Sequence, residues 1–129
     1  MKASELRIGN LILKNGKLHY TSYLTIRDIH GLSVDDTDTF EPIPINEEWL
    51  LKFGFECIAN GGDQKRFGLK NRNKNYFYGV EFDHEEICLN KQSLFGCETI
   101  IHNEIFMQYV HQLQNLYFAL TGEELTINQ

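Results

Sequence analysis

The segment EIFMQYVHQLQNLYFALTG, residues 104–122, decides the fold that we expect for this chain. Its apolar side chains recur at helical spacing, and at 100° per residue they fall within about 60° of Leu113. They are Phe106, Tyr109, Val110, Leu116, Tyr117 and Leu120. Asn103 is a good N-cap and Gly122 a good C-cap, so the pattern predicts a helix over residues 104–121. One apolar stripe of this kind is typical of a helix that packs on a sheet.

Short strand patterns precede this helix. Apolar and β-branched residues dominate five segments, at residues 55–59, 66–69, 76–82, 86–89 and 97–101. Loops of Gly, Asn, Asp and Lys separate the segments. Successive strands with short loops pair side by side, so this region is predicted to form an antiparallel β meander.

A short helix is expected just before the meander. The segment PIPIN, residues 42–46, contains both prolines of the chain and must be extended, because proline restricts its own φ and the residue before it. Asn46 is a good N-cap, and Ile45 can pack on Leu50 as a hydrophobic staple. Gly54 ends the helix after about two turns, which is too short for stability without docking.

The N-terminal portion, residues 1–41, has the pattern of β structure. Residues 8–13 form one strand pattern, and Asn15-Gly16 is the strongest short hairpin signal, because both central residues of a type I′ turn need positive φ. Residues 18–29 continue in a strand-like pattern. These short strands predict a small bent sheet or an SH3-like barrel.

Length and composition fit one compact domain. The chain has 129 residues, of which 42% are hydrophobic and 23% charged. We therefore expect a single α+β domain over residues 1–129. Its N-terminal β portion, residues 1–41, is followed in residues 42–129 by the short helix, the meander and the C-terminal helix packed on the sheet.

Charge and cysteine content limit the binding partners and the cellular location that we expect. Twelve Lys and Arg against 18 Asp and Glu give a net charge of −6, which argues against general binding of polyanions. The three cysteines, Cys57, Cys88 and Cys97, form no CxxC pair and predict buried thiols rather than disulfides or a zinc site. The sequence has neither a secretory signal pattern nor a membrane-span pattern, so we expect a cytoplasmic location.

Catalytic and ligand motifs are missing from the sequence. HExxH, the nucleophile elbow and the glycine-rich phosphate loops do not occur. The densest groups of ligand-type residues are Asp83-His84-Glu85-Glu86 and the acidic stretch with Asp35, Asp36 and Asp38. Both have the composition of solvated loops, and the acidic stretch lacks the further ligands of an EF-hand. We predict no catalytic residue, no metal and no cofactor, and enzymatic activity has no support.

A basic segment interleaved with aromatic residues, residues 65–78, is the first candidate functional surface. Its candidate nucleic-acid contacts are Lys65, Arg66, Lys70, Arg72, Lys74, Tyr76 and Tyr78. Single-stranded nucleic acids are bound by such pairing, since cations track phosphates while aromatic rings stack on bases. The alternative is that the aromatic residues belong to the sheet and the cations to a solvated hairpin, and the acidic remainder of the chain favours this alternative.

A ridge on the closing helix is the second candidate surface. Met107, His111, Gln114 and Phe118 follow one another at spacings of four, three and four residues, outside the main apolar stripe. If exposed, they are a candidate interface for self-association or for a partner helix. The alternative is that the N-terminal part or the tail, residues 125–127, covers Phe118.

Three segments carry a resemblance to a known group of proteins. ELRIGN (residues 5–10), PIPINEEWLLKFGF (42–55) and VHQLQNLYFALTGEEL (110–125) resemble short uncharacterised proteins of bacteriophages and mobile elements of gut bacteria. The resemblance implies a bacterial host cell and no particular activity. We therefore expect a non-enzymatic accessory protein that acts by protein–protein contact, with an unknown partner or a second copy. The alternative is a module that binds single-stranded nucleic acid through residues 65–78.

Overall fold

The computed structural model describes residues 3–29, 38–62, 64–69, 76–83, 86–93, 96–102 and 108–127. The chain divides into two compact units. Unit 1 comprises Met1–Ile45 and Tyr109–Leu125, and unit 2 comprises Asn46–Gln108 and Thr126–Gln129. The expectation of one domain over the whole chain stays a prediction. The predicted α+β class is confirmed, because both units combine an antiparallel sheet with helix.

Unit 1 contains a three-stranded antiparallel sheet in the order β2-β1-β3. Its strands are β1 (Leu11–Lys14), β2 (Lys17–Tyr20) and β3 (Phe40–Glu41). The Asn15-Gly16 turn joins the first two with φ values of 52° and 77°, which confirms the predicted type I′ hairpin. Of the two predicted alternatives, the described residues form the small sheet and not a closed barrel, with β2 and β3 at its edges.

The prediction that the strand pattern continues to residue 29 is wrong. Tyr23–Ile29 form a helix, α1. Ser22 favours its start, because the Ser22 hydroxyl accepts a hydrogen bond from the Thr25 amide at 3.3 Å. The Thr25 hydroxyl lies 2.7 Å from Nε2 of His19 on β2, which holds the helix against the sheet. The tertiary contact of Thr25 outweighs the apparent alternation of Leu24 and Ile26.

The closing helix, α3, extends over Val110–Thr121 and packs on β1, as a helix-on-sheet arrangement predicts. Gly122 ends it with φ of 75°, as expected. The sequence predicts that this helix starts at residue 104, and this is wrong for residues 108 and 109, which are not helical. Residues 103–107 lie outside the described part of the chain. Tyr109 is extended because it pairs with Pro44, and the Val110 amide donates to the carbonyl of Ile43 at 2.8 Å.

Unit 2 begins with α2, Glu47–Lys52. The predicted cap is present, since Oδ1 of Asn46 accepts a hydrogen bond from the Trp49 amide at 3.0 Å. Gly54 follows the helix with φ of 91°, a conformation that glycine adopts without strain. Leu50 and Phe53 are buried, so this short helix is docked and does not rely on its own stability.

The predicted meander is confirmed as a five-stranded antiparallel sheet with its strands in chain order. They are β4 (Glu56–Asn60), β5 (Gln64–Leu69), β6 (Tyr76–Asp83), β7 (Glu86–Ser93) and β8 (Gly96–His102). Phe67, Val80 and Leu89 lie opposite one another in register and are almost completely buried. One face of the sheet therefore carries the apolar core of unit 2.

Candidate protein-interaction surface

Arg7 joins the N-terminal segment of unit 1 to α3. Its guanidinium makes a bidentate pair with Glu124, at 2.7 and 3.2 Å, and its Nε donates to Oδ1 of Asn115 at 2.8 Å. The same guanidinium lies 4.3 Å from the ring centroid of Phe118. Bidentate Arg–carboxylate pairs fix geometry as well as contribute energy. Arg7 therefore sets the position of the N-terminal segment on the helix.

Buried amides extend this connection. Nδ2 of Asn10 donates to Oδ1 of Asn115 at 2.8 Å. Oε1 of Gln114 accepts from the buried Leu11 amide at 2.8 Å, and its Nε2 donates to the carbonyl of Gly9 at 3.4 Å. Buried polar groups need such partners, because an unpaired one costs about 1–3 kcal/mol. We call Arg7, Asn10, Gln114, Asn115 and Glu124 the polar clasp of unit 1.

His111 is completely buried in the first turn of α3. Its ring stacks on Tyr109 with centroids 5.8 Å apart, and its Nε2 lies 3.5 Å from Oε2 of Glu5. Neither ring nitrogen makes a hydrogen bond of good geometry within the described residues. Burial lowers the pKa of His111, and the nearby Glu5 carboxylate offsets this only in part. The neutral imidazole is the form that this site favours.

Two of the three described residues of the predicted ridge are internal. The expectation that it is exposed is wrong for His111 and Gln114, because both side chains are buried, and Gln114 belongs to the polar clasp. Phe118 is 39% exposed beneath the Arg7 guanidinium. Met107 lies outside the described residues. Helical spacing outside the apolar stripe predicts a solvent-facing side chain, whereas Gln114 binds backbone groups of the N-terminal segment.

The two described cations of the basic segment both lie close to carboxylates. Nζ of Lys65 lies 2.7 Å from Glu47, and that hydrogen bond raises the pKa of the Lys65 ammonium. Arg66 lies 3.6 Å from Glu81, its direct neighbour across the β5–β6 pair.

The aromatic residues of the basic segment follow the sheet alternative where they are described. Tyr78 is buried in β6 and cannot stack on a base. Tyr76 is the first residue of β6. The candidate contacts Lys70, Arg72 and Lys74 lie outside the described residues. The described residues thus favour the sheet alternative over a nucleic-acid surface.

A shallow depression of about 190 Å³ lies where β4 turns into β5. Its polar lining is Gln64, Lys65, Arg66 and Glu81, so both charges are present and partly neutralise each other. Within the described ranges, no group of three His, Cys, Asp or Glu side chains could hold a metal ion. Asp35, Asp36, His84 and Glu85 lie outside those ranges. In the same ranges, no helix is long and apolar enough to cross a membrane.

Five large apolar side chains of unit 1 are exposed on β2, on α1 and just before β1. They are Ile8 (66% exposed), Leu18 (48%), Tyr20 (53%), Tyr23 (71%) and Leu24 (55%). We call these five residues the β2-edge cluster. Leu18 and Tyr20 share one face of the strand, because side chains alternate along β structure. The Gly9 amide donates to the carbonyl of Thr21 at 2.8 Å, which brings Ile8 next to the start of α1.

The sequence pattern does not reveal this cluster, because it predicts strand-like structure over residues 18–29. In a strand, Leu24 and Ile26 would share a buried face, whereas in α1 they do not. A usable signal was present in the sequence, since Ser22 is a good N-cap residue directly before Tyr23 and Leu24.

Comparison with known proteins yields no relative. No protein-family profile matches this sequence, and neither a curated protein nor a solved structure shows significant similarity to it.

Proposed function

We propose that this chain is a small non-enzymatic accessory protein of a bacteriophage or mobile element, acting in the bacterial cytoplasm by contact with another protein. The observation that carries the proposal is the β2-edge cluster. Within it, Leu18 and Tyr20 lie side by side on one face of β2, and neighbouring exposed apolar side chains of this kind mark interaction sites. Tyr20 and Tyr23 add weight, because tyrosine is enriched at the residues that contribute most to binding.

The competing functions have weaker support. A nucleic-acid module would need free cations beside exposed aromatic rings, whereas Lys65 and Arg66 face carboxylates and Tyr78 is buried. An enzyme would need ionisable groups gathered in a pocket, and His111 is the one described residue that combines complete burial with a shifted pKa. His111 faces the interior of unit 1, beside Glu5 and Tyr109.

Site-specific photo-crosslinking in the bacterial host tests the proposal. A photoreactive amino acid replaces Leu24 in one variant and Leu51 in another, because these leucines are equally exposed, at 55% and 56%. We expect a crosslinked protein at position 24 that is missing at position 51. That protein, identified by mass spectrometry and purified, should bind the Leu24→Ser variant at least 10-fold more weakly than the Leu51→Ser variant.

Two outcomes would contradict the proposal. One is that neither position crosslinks to any protein, and the other is that the two serine variants bind the purified protein equally well. Tight, salt-sensitive binding of a single-stranded oligothymidylate would instead support the nucleic-acid alternative.

A further inference from the structure

The outer edge of β2 has backbone groups free for pairing. Lys14 and Lys17 flank the two-residue turn and form a hydrogen-bonded pair, so such pairs alternate along the hairpin. The bond from the Thr21 amide to the carbonyl of Asn10, at 2.8 Å, fits this alternation. The N–H and C=O groups of Leu18 and Tyr20 therefore point away from β1. Within the described ranges, no group hydrogen-bonds to them.

We infer that β2 accepts an extended segment of the partner protein as an added antiparallel strand, a mode of binding that rests on the proposed function. Leu18 and Tyr20 would each form a hydrogen-bonded pair with a residue of the added strand. Directly opposed residues of two strands lie on the same face of a sheet. The two partner residues opposite Leu18 and Tyr20 are therefore apolar, because they meet half-exposed apolar side chains.

Lys17 specifies a charge on the added strand. It is exposed on β2 and has no ion pair within the described residues, whereas the neighbouring Lys14 lies 3.8 Å from Asp38. Opposite charges directly across a strand pair are favourable, so the partner residue opposite Lys17 is acidic. Because the added strand runs antiparallel, its sequence from N to C terminus is apolar, any residue, apolar, acidic. The apolar residues face Tyr20 and Leu18 in that order.

A second copy of this chain fits the edge less well. Symmetric pairing centred on His19 would place Leu18 opposite Tyr20 of the other copy and Lys17 opposite its Thr21, which carries no charge. The β2-edge cluster also offers on the order of a few hundred Å² of apolar surface. A stable dimer buries about 800 Å² on each partner. The small area and the lone cation both favour a short extended segment.

Selection from a displayed library of random decapeptides against the purified full-length chain tests the inference. We expect enrichment of the pattern apolar, any residue, apolar, Asp or Glu. The Lys17→Glu variant should bind an enriched peptide roughly 3- to 10-fold more weakly, and a peptide with Lys at the acidic position should recover that binding. Lys52→Glu, which changes an exposed cation of α2, should leave binding unchanged.

Backbone methylation separates strand addition from other modes of binding. The amides of the two apolar peptide residues would donate to β2, whereas the amide between them would point away. N-methylation of either apolar residue should abolish binding, and N-methylation of the intervening residue should not. Equal effects at all three positions would overturn strand addition.

Two further results would also overturn it. One is a selection with no enriched pattern, and the other is sedimentation of the chain as a dimer that Leu18→Glu dissociates, which would make the second copy the occupant. The proposed function fails separately, since it depends on the crosslinking contrast between Leu24 and Leu51. A crosslinked partner without peptide selection would leave that function standing and remove the strand-addition mode.

Discussion

β2 and β4 are both edge strands, and they differ in regularity and side chains. β4 in unit 2 is exposed along all five residues, but its register against β5 shifts between Cys57 and Ala59, so that Ile58 has no direct partner. β2 in unit 1 pairs with β1 without a break and exposes Leu18 and Tyr20. Bulges discourage pairing with another chain. Under the strand-addition proposal, exposure alone does not make a docking edge, which also needs regular backbone and apolar side chains.

The largest expected loss of stability comes from removing a hydrogen bond between α3 and the sheet that contains β2. Replacing Gln114 with Leu keeps much of the side-chain volume but leaves the buried Leu11 amide without its acceptor. We expect the free energy of unfolding to fall by about 1–3 kcal/mol. Chemical denaturation would measure it, with Ala119→Leu on the exposed side of α3 as the control. An unchanged stability would show that unit 1 does not depend on the polar clasp.

Acid should also weaken unit 1. Because burial lowers the folded-state pKa of His111 below 6.5, the unfolded chain binds a proton first as the pH falls. Stability is unaffected by this group above about pH 6.5 and declines below it, by at most about 1.4 kcal/mol per pH unit, until the folded-state pKa is reached.

Denaturation curves between pH 7 and pH 5 would measure this decline, and His111→Gln should flatten it. NMR titration of the His111 ring gives the folded-state pKa directly. A value above 6.5 would mean that the attraction of Glu5 outweighs burial, and the sign of the pH effect would reverse.

A smaller loss of stability is expected in unit 2, which contains β4. Asn46→Ala removes the oxygen that accepts from the Trp49 amide at the start of α2. Loss of such a cap costs about 1 kcal/mol. A thermal melt would detect it, with Glu56→Ala, an exposed residue of β4, as the control. No change would refute the capping role, and a loss above about 3 kcal/mol would show that Asn46 has a further role.

The smallest effect on stability, and the sharpest contrast between the two edges, comes from Leu18→Glu. It gives β2 a charge like that of Glu56 in β4. Because Leu18 is already half exposed, the free energy of unfolding should change by less than about 1 kcal/mol. Peptide binding should nevertheless disappear, and fluorescence anisotropy would show it. Retained binding together with a normal melt would place the docking surface elsewhere.

Local signals predicted much of the fold. The Asn15-Gly16 hairpin, the Asn46 cap and the strands of the meander each follow from a few adjacent residues. Long-range contacts produced the errors. Tyr109 leaves the helical pattern because it pairs with Pro44, more than sixty residues earlier in the chain. Spacing along a helix gives no information about such partners.

The candidate surface was less predictable for a related reason. Polar residues at helix positions such as Gln114 resemble solvent-facing ones unless the backbone that they bind is known. The β2-edge cluster depends on where the strand ends and α1 begins. That boundary is set by Ser22 and by the contact of Thr25 with His19.

The ion pair between Arg7 and Glu124 joins residues 117 positions apart in the sequence. A ribosome adds about 5–20 residues per second, so Arg7 leaves the exit tunnel several seconds before its partner is synthesised. Unit 1 therefore cannot complete its structure until residues 109–125 have followed the whole meander out of the ribosome. During that interval the β1–β2 hairpin lacks α3, and a nascent chain is then most open to mispairing or to capture by a chaperone.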